Sequence, residues 1–124
     1  MIMAVEYLHF LQWAETEIKL PELEEFSRRN AGSRAYYALY HAAVSKAEQL
    51  CLRVTRVENG GSHEAIIQAI ANFSQKGRVI AELMRKVKRF RHRCDYDINM
   101  PLPEHKARQQ VAEAHRLIDM LQRL

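Results

Sequence analysis

Only four glycines and three prolines interrupt these 124 residues, and this scarcity of turn-formers constrains the fold most. A sandwich or barrel needs turn chemistry roughly every 8–12 residues, so a chain with so few breakers must be built from long helices. The apolar spacing agrees. Val5, Leu8, Leu11, Trp13 and Ile18 make a broad apolar side on a first helix from about Ala4 to Ile18. Pro21 breaks that helix or opens the next at an early position. Asn30-Ala31-Gly32-Ser33 predicts a kink or break with Ser33 as N-cap. A dense helix then runs from Arg34 to about Leu52, and its many alanines place it centrally.

Val54 to Gly61 is the most evident loop, with Asn59-Gly60-Gly61 supplying flexible turn chemistry. Ser62 is the expected N-cap of a short helix to Phe73, with Glu64 in its first turn, where the helix dipole favours it. Gly77 is expected to interrupt or cap. A long basic helix follows to about Tyr96, stopped by Asn99-Met100-Pro101-Leu102-Pro103. A last helix spans about Glu104 to Leu124. The expectation is a single all-α domain over residues 1–124, an up-and-down bundle of about five helices.

Charge is unevenly laid out. Residues 1–25 hold six Glu and one Lys, whereas residues 76–93 hold eight Lys or Arg and one Glu. The basic block could meet phosphates, or it could be a solvated face that complements the acidic N-terminal region. No apolar run approaches the ~18 residues that suggest a bilayer span, and Glu6 follows closely on an N-terminus without basic residues, unlike a secretory signal. Cys51 and Cys94 therefore read as reduced thiols of a cytoplasmic protein. Glycine-rich phosphate loops, zinc spacing and nucleophile elbows are all missing from the sequence. Glu6-x-x-His9 is a single copy of a pair that a di-iron bundle needs twice. No metal or other cofactor is expected.

Two segments stand out. The first is Ser33-Arg34-Ala35-Tyr36-Tyr37-Ala38-Leu39-Tyr40-His41-Ala42-Ala43. Here Tyr36 and Tyr40 share one helical face, as do Tyr37 and His41. The second is Arg91-His92-Arg93-Cys94-Asp95-Tyr96-Asp97. Lys88, His92 and Tyr96 lie on one face with Arg85 and Arg89 beside it, and Arg91 and Asp95 are spaced for an ion pair. In this order and at this separation the two segments resemble the HEPN superfamily of small all-α domains. They resemble in particular a subgroup with a Ser-Arg-x-Tyr-Tyr-Ala-x-(Phe/Tyr)-His-Ala helix followed by an Arg-x-x-(Ala)-Asp-Tyr helix. Cys94 stands where that subgroup often has Ala. The stretch from Ser62-His63 through Phe73 to Gly77 resembles the subgroup's Thr-His…Phe…Gly segment. The resemblance spans about residues 5–120.

The resemblance implies a homodimer and an association with RNA or nucleotides, often within toxin–antitoxin or phage-defence modules. It also implies a minimal nucleotidyltransferase partner that modifies a Tyr near the motif, here Tyr96. Ribonuclease members cut RNA without metal, using a motif Arg and His that meet across the dimer. Arg91 matches that Arg and His92 the polar residue after it, but Tyr96 falls near the position of the motif His. A tyrosine titrates near 10 and is a poor base at neutral pH. A binding role is therefore favoured over cleavage. The alternative is a metal-independent endoribonuclease with Arg91, His92 and Tyr96 as catalytic residues; the second alternative is a helical interaction adaptor. Expected binding residues are Arg34, Tyr37, His41, Arg85, Lys88, Arg89, Arg93 and Asp95. A polar cleft requires Arg34 and His41 to point toward Arg91.

Overall fold

The computed structural model describes residues 5–56, 58 and 60–124. It is an all-α bundle of five helices: α1 Tyr7–Glu17, α2 Glu25–Gln49, α3 Ser62–Phe73, α4 Gln75–Tyr96 and α5 Glu104–Gln122. The described residues contain no strand. Ala4 and Asn59, named above at a helix start and in a loop, lie outside the described residues.

The alanine-rich helix is central, because α2 packs against all four of the others. Its Ala31, Ala35, Ala38, Ala42, Ala43 and Ala47 are buried, so neighbouring backbones approach closely. Leu39, Ile67, Ile70, Ile80, Met84, Val111, Leu117, Ile118 and Leu121 fill the main core. A smaller cluster of Cys94, Leu102, Ala107 and Phe90 lies beneath the α4–α5 connection. On α1 the buried seam is Leu11 and Ala14, while Trp13 is exposed. Two residues past Leu11 is about 200° around a helix, so Trp13 turns outward.

Three local expectations are corrected. The helix does not break at Asn30–Ser33, because α2 runs unbroken from Glu25 to Gln49. Gly32 is there for space: a Cβ on it would come 2.7 Å from Cys94 Sγ and 3.3 Å from Phe90 Cε1. Ser33 caps nothing, and its hydroxyl donates to Asp95 Oδ2 at 3.2 Å. The N-cap of α3 is Gly61, with Ser62 as the first helical residue. Gly77 neither interrupts nor caps. It lies in the first turn of α4 and donates its N–H to Ser74 Oγ at 3.0 Å, so Ser74 is the cap. The α3–α4 corner is tight enough that a Cβ on Gly77 would overlap the Ile70 carbonyl oxygen.

Two side chains fix the height of α4 against its neighbours. Gln110 is buried and donates to the carbonyls of Val87 at 2.9 Å and Gly32 at 3.4 Å, tying α5 to α4 and α2. Arg29 donates to the carbonyls of Arg93, Cys94, Asp97 and Met100 at the C-terminal end of α4, where helix carbonyls lack intrahelical partners. These contacts position the residues that follow.

Candidate functional site

The site is assembled from the middle of α2, the first turn of α3 and the last three turns of α4. Tyr36 is fully buried and its hydroxyl lies 2.7 Å from His63 Nδ1. The His63 ring stacks on Tyr40 with centroids 3.9 Å apart and meets the edge of Tyr37 at 6.0 Å. Burial pushes the Tyr36 phenol well above its ordinary value, so it keeps its proton. That proton needs an acceptor, and His63 Nδ1 is the partner the described residues provide. Tyr36 therefore donates, Nδ1 accepts, and the proton of neutral His63 sits on Nε2. Burial first, and then the positive charges of Arg91 and Lys88, hold the His63 pKa below its usual value. At neutral pH the imidazole is an uncharged Nε2–H donor.

Arg91 lies across this aromatic floor. Its guanidinium carbon is 5.2 Å from the Tyr36 ring centroid and 5.7 Å from that of Tyr37. Only 12% of its side chain is exposed. It pairs with Asp95 at 3.5 Å, the i,i+4 pair expected from spacing, and Asp95 Oδ2 also accepts from Ser33. The Arg91 Nε is buried with no hydrogen-bond partner among the described residues. Arg34 lies 4.9 Å above the Tyr37 ring, so Tyr37 is shared by two guanidinium groups.

Beside Arg91 opens a groove of about 310 Å³ lined by Glu64, Arg85, Lys88, Arg89, Arg91 and His92. Four permanent cations thus face one carboxylate. Glu64 takes Arg85 at 2.8 Å and Lys88 at 3.6 Å. The ion pairs of the basic helix among the described residues go to Glu64 and Asp95, not to the acidic N-terminal segment. The His92 and Tyr96 rings pack at a 36° tilt with centroids 4.7 Å apart on the exposed side of α4, where Tyr96 is 64% exposed.

Not every expected residue joins this cluster. Arg93 lies over the Phe90 ring at 5.8 Å, toward the small core. His41 turns to α1, stacking on Phe10 at 5.7 Å, and lines a separate groove with Tyr7 and Val44. Of the two residues required to point toward Arg91, Arg34 shares the Tyr37 ring with it and His41 does not. Cys94 is buried against Gly32, and its thiol pKa is pushed up to about 12, chiefly by burial.

Sequence reasoning placed no site role on Ser33, Tyr36, Tyr40, His63 or Glu64. A signal existed for Tyr36 and Tyr40, whose i,i+4 aromatic stripe needs a flat partner. His63 follows the Gly60-Gly61 pair at a helix start, but the tyrosines it meets are more than 20 positions away. The chain matches no family model, no curated protein and no solved structure.

Proposed function

We propose that this chain is a HEPN-like module that holds a phosphate group of RNA or of a nucleotide in the α3–α4 groove. Arg91 is the anchoring cation, and the role is binding rather than cleavage. The observation that carries this reading is the Arg91 guanidinium, seated 5.2 Å from the Tyr36 ring centroid and 5.7 Å from that of Tyr37, with a buried Nε that has no partner among the described residues, in a groove of four cations. A guanidinium fork matches two phosphate oxygens at once. A site partly shielded from water strengthens that attraction. His63 does not supply a free base, since Nδ1 is engaged and Nε2 carries the proton. As in the related modules, the setting would be a cytoplasmic toxin–antitoxin or defence system.

The test is fluorescence anisotropy with a labelled single-stranded RNA lacking terminal phosphate, and in parallel a mononucleotide. Arg91→Ala should weaken binding at least tenfold and lower the salt slope by about 0.7, one phosphate contact on a single strand. Unchanged affinity and slope would overturn the reading. The RNA and mononucleotide arms identify the source of the phosphate.

A second reading is a metal-independent endoribonuclease. It is favoured by His92, which lines the same groove as Arg91 and packs against the Tyr96 ring. RNA cleavage in EDTA that is lost in Arg91→Ala would establish it. A homodimer, as the resemblance implies, would have apolar material beside the motif, since Tyr96, Ile98 and Met100 are all exposed at the end of α4. A nucleotidyltransferase partner would find the Tyr96 ring exposed.

A further inference from the structure

The groove has a titratable neighbour that the phosphate-binding reading does not use. His63 sits one residue before Glu64, with Nδ1 accepting from Tyr36 and its ring on Tyr40. The groups around it come from every packed element. From α4 come Arg91 and Lys88, and from α2 come His41, Tyr36, Tyr37 and Tyr40. From its own helix comes Glu64, whose charge is already shared by Arg85 and Lys88. With the groove empty the local charge is positive, and a second cation at His63 is opposed. A phosphate on Arg91 and Lys88 reverses that field.

Resting on the phosphate-binding reading, we propose that occupation of the groove by a phosphodiester is coupled to proton uptake by His63. The proton comes from solvent and goes to Nδ1, the nitrogen that accepts from Tyr36 in the empty groove. The Tyr36–His63 hydrogen bond then reverses. Nδ1–H donates to the phenol oxygen, and the phenol proton turns away. Tyr36 keeps its proton throughout, so no bond other than N–H is made and none is broken in the ligand. Turning the phenol proton away from Nδ1 leaves it without its partner in the empty groove, a cost that the field of the bound phosphate at His63 must exceed. Affinity and protonation are reciprocal by linkage, so RNA binding strengthens as pH falls.

The experiment is binding of the same single-stranded RNA between pH 8.0 and 5.5 at fixed salt, with the His63 ring followed by NMR. A phosphodiester without terminal phosphate keeps its charge over this range, whereas a phosphate monoester titrates near 6 and would add its own slope. Wild type should gain several-fold in affinity, as for a rise of about one unit in the His63 pKa on binding, whose limit is tenfold. His63→Gln should lose most of this pH dependence, and His105→Gln, on α5 and outside the groove lining, should keep the wild-type slope. On wild type, RNA should move the His63 titration upward. The coupling is overturned if His63→Gln keeps the wild-type slope, or if RNA leaves the His63 titration in place while Arg91-dependent binding persists at pH 7.5. That last result would leave the phosphate-binding reading intact. Absence of RNA binding at every pH would overturn both.

Discussion

Gly32→Ala tests the helix crossing that sets Arg91 over its tyrosines. The new Cβ would lie 2.7 Å from Cys94 Sγ and 3.3 Å from Phe90 Cε1. Cys94 is 97% buried and cannot swing into solvent. Overpacking of this kind costs about 1–3 kcal/mol. The alanine recovers up to about 1 kcal/mol in a helix interior. With the full helix gain the net expectation is a loss of up to about 2 kcal/mol, read as a lower urea midpoint at constant slope. The control is the cycle with Cys94→Ala, which removes the sulfur that Gly32→Ala would strike. In that background Gly32→Ala should be neutral or mildly stabilising, a coupling of at least about 1 kcal/mol between the two sites. A neutral or stabilising Gly32→Ala in wild type, with no coupling to Cys94, would refute a close α2–α4 crossing at this point.

Other perturbations read other parts of the structure. Gly77→Ala should cost more than Gly32→Ala, about 2 kcal/mol or more, because the clash is with the Ile70 backbone carbonyl rather than a side chain; equal midpoints in urea would contradict this. Titration with a disulfide reagent at pH 8 should label Cys51, which is exposed, at once. Cys94, with its thiol pushed up to about 12 by burial, should react only as the chain unfolds. The hydrogen bond to Glu15 holds the His115 pKa above its ordinary value. A raised folded pKa stabilises below the unfolded value near 6.5 and is lost as pH rises through the folded value. His115→Gln should therefore lose stability at pH 6, by less than about 1 kcal/mol for so exposed a pair, and differ little from wild type at pH 9. Equal differences at both pH values would contradict the pairing.

Much of the fold was legible because it rests on local rules. Pro101 and Pro103 keep α4 from continuing into α5, though it already stops at Tyr96, and the recurring alanines of α2 announce a helix that others approach. Asn30–Ser33 was misread for a physical reason. Glycine and serine weaken an isolated helix, but here tertiary contacts decide: Cys94 and Phe90 need the space at Gly32, and Asp95 takes the Ser33 hydroxyl. Spacing alone identified the Arg91–Asp95 pair, because i,i+4 geometry is intrinsic to a helix. It could not identify His63. That role depends on three tyrosines of α2 meeting the start of α3, and on a phenol buried deeply enough to keep its proton. The same limit hid the sharing of Glu64 by Arg85 and Lys88, a contact between the first turn of α3 and the middle of α4.

The central claim is that the α3–α4 groove receives phosphate at Arg91. Chemical-shift mapping of the labelled protein with a single-stranded RNA tests it most directly. The amides and side chains of His63, Glu64, Lys88, Arg91 and His92 should move together, with one saturation curve, and the Arg91 Nε–H resonance should sharpen or shift as it gains a partner. Shifts confined to the α1–α2 groove around Phe10 and His41, with Arg91 unmoved at saturation, would contradict it.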